Sequence, residues 1–251
     1  MNRSMPPTAA QVRLFQEVGQ RLDRKGMIAA NDGNLSWRDA DGTILITATG
    51  ARKGYLGTDE VVRIDLNGEL LFGKRPPSSE LAMHLAILRV RPDVRAIVHA
   101  HPAIATGFAV ARRPMDQCVL PEIILTLGSV PIAPYGTPGT DELPRGIEPV
   151  AREHDVFLLA NHGAVALGPD LEEAYFRMER VEHTARILLV SQMLGRTHQL
   201  SGEQVSRLLA TGPDPQPDAL PCRVDSAVPG ADSEAARIAS MVTEVLRARG
   251  F

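Results

Sequence analysis

The sequence lacks the features that mark membrane, secreted and nucleic-acid-binding proteins. No apolar stretch in its 251 residues approaches the roughly 20 residues that a membrane-spanning helix requires. Residues 1–7 are not followed by the uninterrupted apolar core of a secretory signal. The formal net charge is −3 and no basic run stands out, so neither a nucleic-acid nor a membrane partner is expected. We therefore expect a soluble, cytoplasmic protein.

Cysteine is scarce, and the loops that bind nucleotide phosphates are missing. The two cysteines are Cys118 and Cys222, and their spacing fits neither a disulfide framework nor a zinc knuckle. Because disulfides are unusual in the cytoplasm, we expect both to be free thiols. The sequence contains neither a Walker loop nor a Gly-x-Gly-x-x-Gly loop, which argues against a nucleotide cofactor.

Short strand patterns alternate with helical patterns along the chain. The hydrophobic periodicity predicts helices over 8–25, 80–90, 103–110, 141–153 and 171–194. It predicts strands over 35–38, 43–47, 61–66, 69–72, 95–98 and 130–133, and a hairpin over 156–167. Residues 112–126 are interpreted as a loop or an oligomer contact. Because the strands come in hairpins with helices between them, we predict a three-layer α/β/α fold of the α/β class with a central, mainly antiparallel or mixed sheet.

The composition changes towards the C-terminal end. Residues 1–210 are predicted to form the main domain. Residues 211–232 are rich in Pro, Asp and Ala and are predicted to be an irregular linker. Residues 233–251 have the periodicity of a last amphipathic helix.

Three histidines lie where predicted strands end. His99 and His101 follow the apolar run 95–98, and residues two apart on a strand point to the same face. His162 follows a second apolar run, 156–160, within the sequence Asn161-His162-Gly163. Three imidazoles with one displaceable position are typical of catalytic zinc, whereas structural zinc prefers four closed ligands. Such a centre acts as a Lewis acid on an oxygen-bearing substrate.

Each of these motifs has a simpler interpretation when it is taken alone. A His-x-His pair on a strand is more often a core or surface feature than a metal site. Glu80 begins a predicted helix and, by itself, would be a carboxylate favoured by the helix dipole. Beside a divalent ion the same carboxylate can bind the metal and then act as a general base. His84, one turn later, is a possible competitor but is better explained as a residue that packs near the ligands.

Small polar clusters complete the candidate site. They comprise Asn34 after Gly33, the pair Thr49 and Gly50, and the pair Ser78 and Ser79. The two serines lie where a helix N-terminus would favour an anion. Taken alone, each cluster is more often an ordinary turn or cap. The clusters indicate a binding site only because they occur together with the histidines and Glu80.

With these motifs in place, the chain resembles the class II aldolase/adducin family over about residues 10–200. The motifs that carry the resemblance occur in the family's order and are 33–36 (GNLS), 45–50 (LITATG), 77–80 (PSSE), 99–102 (HAHP), 133–135 (APY) and 161–163 (NHG). The resemblance implies that residues 1–210 form a catalytic domain. It also implies a homotetramer with active sites between neighbouring subunits.

The same resemblance assigns roles to the residues of the site. It implies Zn²⁺, or another divalent ion such as Mn²⁺ or Co²⁺, held by His99, His101, His162 and Glu80, with Glu80 also the catalytic base. It further implies a phosphate pocket formed by five residues: Asn34, Thr49, Gly50, Ser78 and Ser79.

Glu80 indicates which branch of the family the chain resembles. The aldolases have glutamate at this position and the epimerases have aspartate, so the chain is most similar to the L-fuculose-phosphate aldolase branch. The implied reaction is reversible cleavage of a small phosphorylated ketose to dihydroxyacetone phosphate and an aldehyde. The metal would stabilise the enediolate that develops while Glu80 exchanges a proton with carbon.

The chain departs from the fuculose-phosphate enzymes in two places. Leu120 falls where those enzymes use a tyrosine to exchange a proton at the aldehyde oxygen, and the tail past residue 200 has no tyrosine. A metal-dependent decarboxylase of a sugar-acid phosphate or related hydroxy-carbonyl acid is therefore an alternative. Decarboxylation passes through the same metal-bound enolate, and it does not require a proton at an aldehyde oxygen. A non-catalytic, adducin-like scaffold is less consistent with the intact histidines and Glu80.

Overall fold

A computed structural model describes residues 5–211 and 222–223 of the chain. The strands are β1 (Asn34–Arg38), β2 (Ile44–Thr47), β3 (Val61–Ile64), β4 (Leu70–Phe72), β5 (Ala96–Ala100), β6 (Ile132–Ala133), β7 (Val156–Leu159) and β8 (Gly163–Gly168). The helices are α1 (Ala9–Arg24), α2 (Leu81–Val90), α3 (Ala103–Val110), α4 (Pro121–Thr126), α5 (Glu142–Glu153), α6 (Leu171–Met193) and α7 (Gly202–Thr211), with a 3₁₀ turn at Lys53–Tyr55.

The eight strands form one sheet in the order β4-β3-β2-β1-β5-β8-β7-β6. All neighbouring pairs are antiparallel except β6 and β7, which are parallel. The sheet is thus mixed and mainly antiparallel, as predicted.

The two faces of the sheet are covered by different helices, because residues alternate between faces along each strand. On β2, Leu45 packs in a core formed with α1, α3 and α6. Its neighbours Ile44 and Ile46 pack on the opposite face, against α2 and α5. The predicted three-layer arrangement is confirmed.

The first helix illustrates how local sequence fixes an element. The Thr8 hydroxyl accepts a hydrogen bond from Gln11 N, and the Gln11 side chain accepts one from Thr8 N. This capping box satisfies amide groups that the helix itself leaves unpaired. The helix gives way to Gly26 at φ +66°, a conformation that glycine adopts without strain.

Two local predictions need correction. Residues 112–126 were expected to be a loop or an oligomer contact, but they contain the short helix α4, which begins at Pro121. Proline is well suited to a first helical turn because its missing N–H has no partner there. Helix α2 begins one residue later than expected, so that Glu80 itself occupies the N-cap position and Ser78 Oγ accepts only from Glu80 N, at 3.3 Å.

The expectation that the cysteines are free thiols is also wrong. Cys118 and Cys222 form a disulfide between residues 104 positions apart. Both are buried in a small cluster with Ile124 and Val205, and a β-bridge joins Gln117 to Arg223 next to the bond. Spacing rules do not reveal such a pair, because the two residues meet only in the folded protein, in a cluster with residues of α4 and α7.

The C-terminal predictions fall largely outside the described residues. Of the predicted linker 211–232, the structure describes Thr211, Cys222 and Arg223, and the predicted helix 233–251 lies outside altogether. Among the described helices, none combines the length and the apolar composition that a bilayer crossing requires.

The disulfide can be tested by counting thiols and measuring stability. Cys118→Ser should lower the free energy of unfolding by about 2–4 kcal/mol, because the bond restricts the unfolded chain. Denaturant unfolding without reductant measures the loss. Cys222→Ser should have the same effect, and the double variant should lose no more than either single one. Two reactive thiols in the unreduced, denatured wild-type protein would contradict the assignment.

Candidate metal centre

The candidate centre lies at one end of the central strands of the sheet, where β5 ends, β1 begins and β7 turns into β8. The strand register pairs Asn34 of β1 with His99 of β5, and Ala100 with Ala164 of β8. The antiparallel register therefore brings the end of one strand beside the start of another. Glu80 approaches the same point from the N-terminal end of α2.

The structure brings the three predicted histidines together. Their ring centroids are 4.9 Å apart for His99 and His101, 4.8 Å for His99 and His162, and 5.0 Å for His101 and His162. One ring nitrogen from each lies within 4.8 Å of the corresponding nitrogen of the others. The rings meet at 64–68°, so they surround a common centre instead of stacking.

Glu80 joins the same cluster. Its Oε2 lies 3.2 Å from His99 Nε2, and its Oε1 lies 3.2 Å from His162 Nε2. Oε1 is buried and has no hydrogen-bond partner among the described residues. A buried polar atom without a partner is costly, so this oxygen is suited to a cation or a substrate proton.

The contacts of the imidazoles show that the cluster fits a divalent metal. His99 Nδ1 lies 2.9 Å from the Ala164 carbonyl oxygen, which can only accept a hydrogen bond, so Nδ1 carries the proton. His99 Nε2 is the nitrogen left for a metal, and it lies 3.1 Å from His101 Nε2. Asp32 Oδ2 lies 3.5 Å from the other nitrogen of His101. Backbone carbonyls and carboxylates placed behind imidazoles in this way orient metal ligands.

Electrostatics favour the ligating protonation states. Burial, together with the neighbouring His99 and His162, lowers the pKa of His101 to about 4, so that its imidazole is neutral at pH 7. Burial alone would raise the pKa of Glu80, but His99 and His162 lower it well below the usual value for glutamate. A neutral imidazole and an ionised carboxylate are the forms that bind metal.

Two glycines allow the backbone to approach the centre closely. A Cβ atom on Gly163 would lie 2.6 Å from the Ala100 carbonyl oxygen and 2.6 Å from His101 Cδ2. Gly33 has φ +72°, and a Cβ there would lie 2.6 Å from the His99 carbonyl oxygen. Both positions exclude larger side chains while the histidines keep their present places.

A polar cavity of about 180 Å³ opens beside the histidines. Glu80 and His101 line it, together with the five residues predicted to bind phosphate: Asn34, Thr49, Gly50, Ser78 and Ser79. The side chain of Asn34 is already engaged, because its amide donates to Glu80 Oε2 at 2.7 Å. The amides of Thr49 and Ser78 donate to the carbonyls of Pro76 and Thr47. The hydroxyl groups are therefore the better candidates for an anion.

Sequence reasoning missed Lys53, which also lines this cavity. Lys53 is buried, and its Nζ donates to the carbonyls of Ala51, at 2.8 Å, and Asn31. Burial lowers its pKa to about 8, although Asp32 and Glu80 oppose the shift. Among the described residues that line the cavity, it is the one lysine or arginine.

The sequence feature related to the burial of Lys53 is Gly19, a glycine in the middle of helix α1. A Cβ at Gly19 would lie 2.1 Å from the Lys53 carbonyl oxygen. The glycine therefore lets the helix pack against the 3₁₀ turn. A lysine after a turn normally lies in solvent, and this contact between distant segments is not visible in the sequence.

The fold and the site together define a three-layer α/β protein with a candidate divalent-metal centre at its strand ends. Residues 13–189 match the family model of the class II aldolase and adducin N-terminal domain. The chain belongs to this family, and the predicted membership is confirmed.

Two groups of named relatives are similar to the chain. A 3-oxo-tetronate 4-phosphate decarboxylase of Pectobacterium atrosepticum is 34% identical over 178 residues, which cover 69% of this chain and 81% of that protein. An L-fuculose phosphate aldolase of Methanocaldococcus jannaschii is 32% identical over 180 residues, which cover 72% and 96%.

Solved structures agree with this relationship. The structure of an L-fuculose 1-phosphate aldolase superposes with a TM-score of 0.74 at 30% identity, covering 81% of this chain and 96% of its own. YgbL of Klebsiella pneumoniae has a TM-score of 0.72 at 32% identity, covering 78% and 96%. Since the relatives are named as aldolases and decarboxylases, the prediction that this chain is an enzyme of the family is confirmed.

The close approach at Gly163 generates a prediction. Gly163→Ala should weaken metal affinity by about 10- to 100-fold, a range typical of changes that misplace ligands, because the new Cβ displaces His101 or the β5 backbone. Isothermal titration of the metal-free protein with Zn²⁺ measures the change.

Gly107 on α3 provides the matched control for this substitution. A Cβ there meets nothing within 4 Å, and alanine is the better helix former. Gly107→Ala should therefore bind metal like the wild type. Equal affinities for the wild type and the Gly163→Ala protein would contradict the proposed constraint.

Proposed function

We propose that the protein is a metal-dependent lyase that breaks a carbon–carbon bond in a small phosphorylated hydroxy-carbonyl compound. The observation that carries this proposal is the position of Glu80, which touches two imidazoles of the histidine cluster and also lines the polar cavity. A carboxylate placed between a Lewis-acid site and a substrate cavity can move a proton to or from a substrate carbon.

His99, His101 and His162 would hold the metal, for which we propose Zn²⁺, with Mn²⁺ or Co²⁺ as alternatives. When bound, the ion would act as a Lewis acid that polarises the substrate carbonyl and stabilises negative charge on its oxygens. Three imidazole ligands would leave room for oxygen atoms of a substrate, as in an open catalytic site.

Glu80 is assigned the role of general acid and base. Asn34 holds its Oε2 at 2.7 Å, while Oε1 has no hydrogen-bond partner among the described residues. In the cleavage direction, the hydroxyl on the carbon that becomes the aldehyde loses its proton to solvent and the carbon–carbon bond breaks. Glu80 then takes a proton from solvent and delivers it to the carbon of the enediolate. In the reverse direction, the carboxylate removes that proton before the new carbon–carbon bond forms.

The cavity is proposed to bind the substrate phosphate. The hydroxyls of Thr49, Ser78 and Ser79 supply donors around Gly50, and Asn34 contributes by orienting Glu80. Lys53 supplies a positive charge that the hydroxyl groups lack. The cavity of about 180 Å³ suits a phosphate and a short carbon chain, whereas a nucleotide is considerably larger.

Two reactions on this site are equally supported. The first is aldol cleavage of a ketose 1-phosphate of the fuculose 1-phosphate type to dihydroxyacetone phosphate and an aldehyde. The second is decarboxylation of a sugar-acid phosphate, in which the bond to the carboxylate breaks, carbon dioxide leaves, and Glu80 protonates the resulting enolate. Named relatives include both decarboxylases and aldolases. Leu120 at the tyrosine position of the fuculose-phosphate enzymes is compatible with the second reaction, and glutamate at position 80 with the first.

Assembly and location complete the proposal. We infer a homotetramer with active sites between neighbouring subunits. We also propose a cytoplasmic location, where the Cys118–Cys222 disulfide would be unusual. We also retain the proposed organisation into a catalytic domain (1–210), a linker (211–232) and a C-terminal helix (233–251).

A paired assay tests the reaction. Zn²⁺-loaded protein is incubated with a panel of ketose 1-phosphates, with release of dihydroxyacetone phosphate as the readout, and with 3-oxo-tetronate 4-phosphates, with release of carbon dioxide as the readout. We expect one panel to react in a metal-dependent way. Glu80→Gln should keep the metal but lose turnover by about 10²- to 10⁴-fold, the usual contribution of a general base.

The product released identifies the reaction, and two further outcomes would contradict the proposal. Release of carbon dioxide without dihydroxyacetone phosphate would select the decarboxylase, and the converse would select the aldolase. Full turnover in the metal-loaded Glu80→Gln protein would remove Glu80 from the mechanism. Inactivity of the metal-loaded wild type on both panels would refute the proposed substrate class.

Lys53 provides a second prediction. Lys53→Met should weaken competitive inhibition by inorganic phosphate by about 10- to 100-fold, because a hydrogen bond to a charged group contributes about 1.5–3 kcal/mol. Lys53→Arg keeps the charge and should lose less affinity. The control is Lys25→Met, at an exposed lysine at the end of α1, which should leave inhibition unchanged. Equal inhibition of the Lys53→Met and wild-type proteins would exclude an anion-binding role.

A further inference from the structure

A chain of buried polar side chains lies behind Glu80. It consists of Asn34 and Ser36 on β1 and His84 on α2, and we refer to it as the Ser36–His84–Asn34 chain. Asn34 Nδ2 lies 2.7 Å from Glu80 Oε2, and Asn34 Oδ1 is hydrogen-bonded to His84 Nε2. His84 Nδ1 lies 2.6 Å from Ser36 Oγ. The three residues therefore connect the carboxylate to the middle of the sheet.

The direction of every hydrogen bond in the chain is determined by chemistry. The ionised Glu80 carboxylate can only accept, so Asn34 must present its NH₂ group to it. Asn34 Oδ1 can then only accept, so His84 Nε2 must carry the proton. In the neutral imidazole Nδ1 is an acceptor, and the Ser36 hydroxyl donates to it. One tautomer of His84 satisfies all three contacts.

The surroundings keep His84 neutral and fixed. His84 and Ser36 are 0% exposed and Asn34 is 4% exposed. The neighbouring positions on α2, Met83 and Leu85, are buried and apolar. A histidine in such a core is stable when each of its nitrogen atoms has a partner, as here.

The chain restricts the rotation of the Glu80 carboxylate. Because Asn34 holds Oε2, the other oxygen is directed to His162 Nε2 at 3.2 Å and is left without a hydrogen bond among the described residues. If His84 did not fix the Asn34 amide, that amide could rotate and present its oxygen to the carboxylate, which would repel it. The orientation of Glu80 Oε1, the oxygen proposed to transfer the proton, depends on this arrangement.

We propose that His84 is a positioning residue, which acts through the Asn34 amide to hold the Glu80 carboxylate in its reactive orientation. The inference rests on the proposed role of Glu80 as acid and base. His84 belongs neither to the histidine cluster nor to the residues that line the cavity, and its side chain reaches that lining through Asn34. Its effect should therefore be on the rate of turnover, with little change in substrate binding.

A matched pair of substitutions at His84 tests the proposal. In His84→Gln the side-chain amide reaches the place of Nε2 and can still donate to Asn34, whereas in His84→Asn it is too short. We expect His84→Asn to lower kcat by about 10- to 100-fold, the range typical of residues that orient ligands, with KM changed less than threefold. His84→Gln should recover most of the loss.

A double-mutant cycle separates positioning from packing. If His84 acts through Asn34, His84→Asn should lower kcat no further in an Asn34→Ala background. Leu88→Ala, one turn further along α2 and buried, is the stability control and should lower the melting temperature while kcat is kept. Additive losses in the cycle, or equal kcat for the wild type and His84→Asn, would overturn the proposal.

Cobalt binding provides a readout that does not require turnover. Since Glu80 contacts the histidine cluster, a misplaced carboxylate should change the visible absorption spectrum of the Co²⁺-loaded protein in His84→Asn and restore it in His84→Gln. Identical spectra for all three proteins would overturn the positioning role. If the wild type cleaves none of the substrates, the proposed function fails, and the cobalt spectra still decide the role of His84.

Discussion

The register of β1, β5 and β8 is the constraint on which the site depends. It places Asn34 beside His99 and Ala100 beside Ala164, so that candidate ligands from distant parts of the chain meet at one point. A slip of a single residue would turn His99 and His101 to the opposite face of the sheet. The buried apolar residues on both faces oppose such a slip, because each shift would expose them or bury polar groups. Core packing and ligand geometry are therefore set by the same interaction.

Different elements carry the three roles proposed for the site, which are metal binding, proton transfer and phosphate binding. Histidines at strand ends, which the core makes rigid, form the candidate metal centre. Glu80 stands at a helix terminus, where its side chain can reach both the centre and the cavity. The cavity is lined by the start of β1, the 3₁₀ turn and the segments around Thr49 and Ser78. Relatives of the chain include both aldolases and decarboxylases.

Local patterns were sufficient to predict most elements and the position of the histidines. The hairpin around His162 and the strand before His99 follow from apolar runs that end at turn residues, which are properties of neighbouring residues. Contacts between distant segments were not predictable in this way. The Cys118–Cys222 bond, the burial of Lys53 and the partners of His84 all depend on packing across more than 20 positions. Short helix α4 was missed because its six residues carry too little periodicity.

The ends of the sheet have a consequence for how the protein behaves in a crowded solution. The outermost strands, β4 and β6, are only three and two residues long. Unpaired backbone groups along an outer strand can recruit a strand from another molecule and so begin aggregation. Because its edge strands are so short, the eight-stranded sheet has few unpaired backbone groups to which another strand could add. This holds even though Leu70 and Phe72 on β4 are exposed. Lengthening either edge strand by substitution would remove that protection.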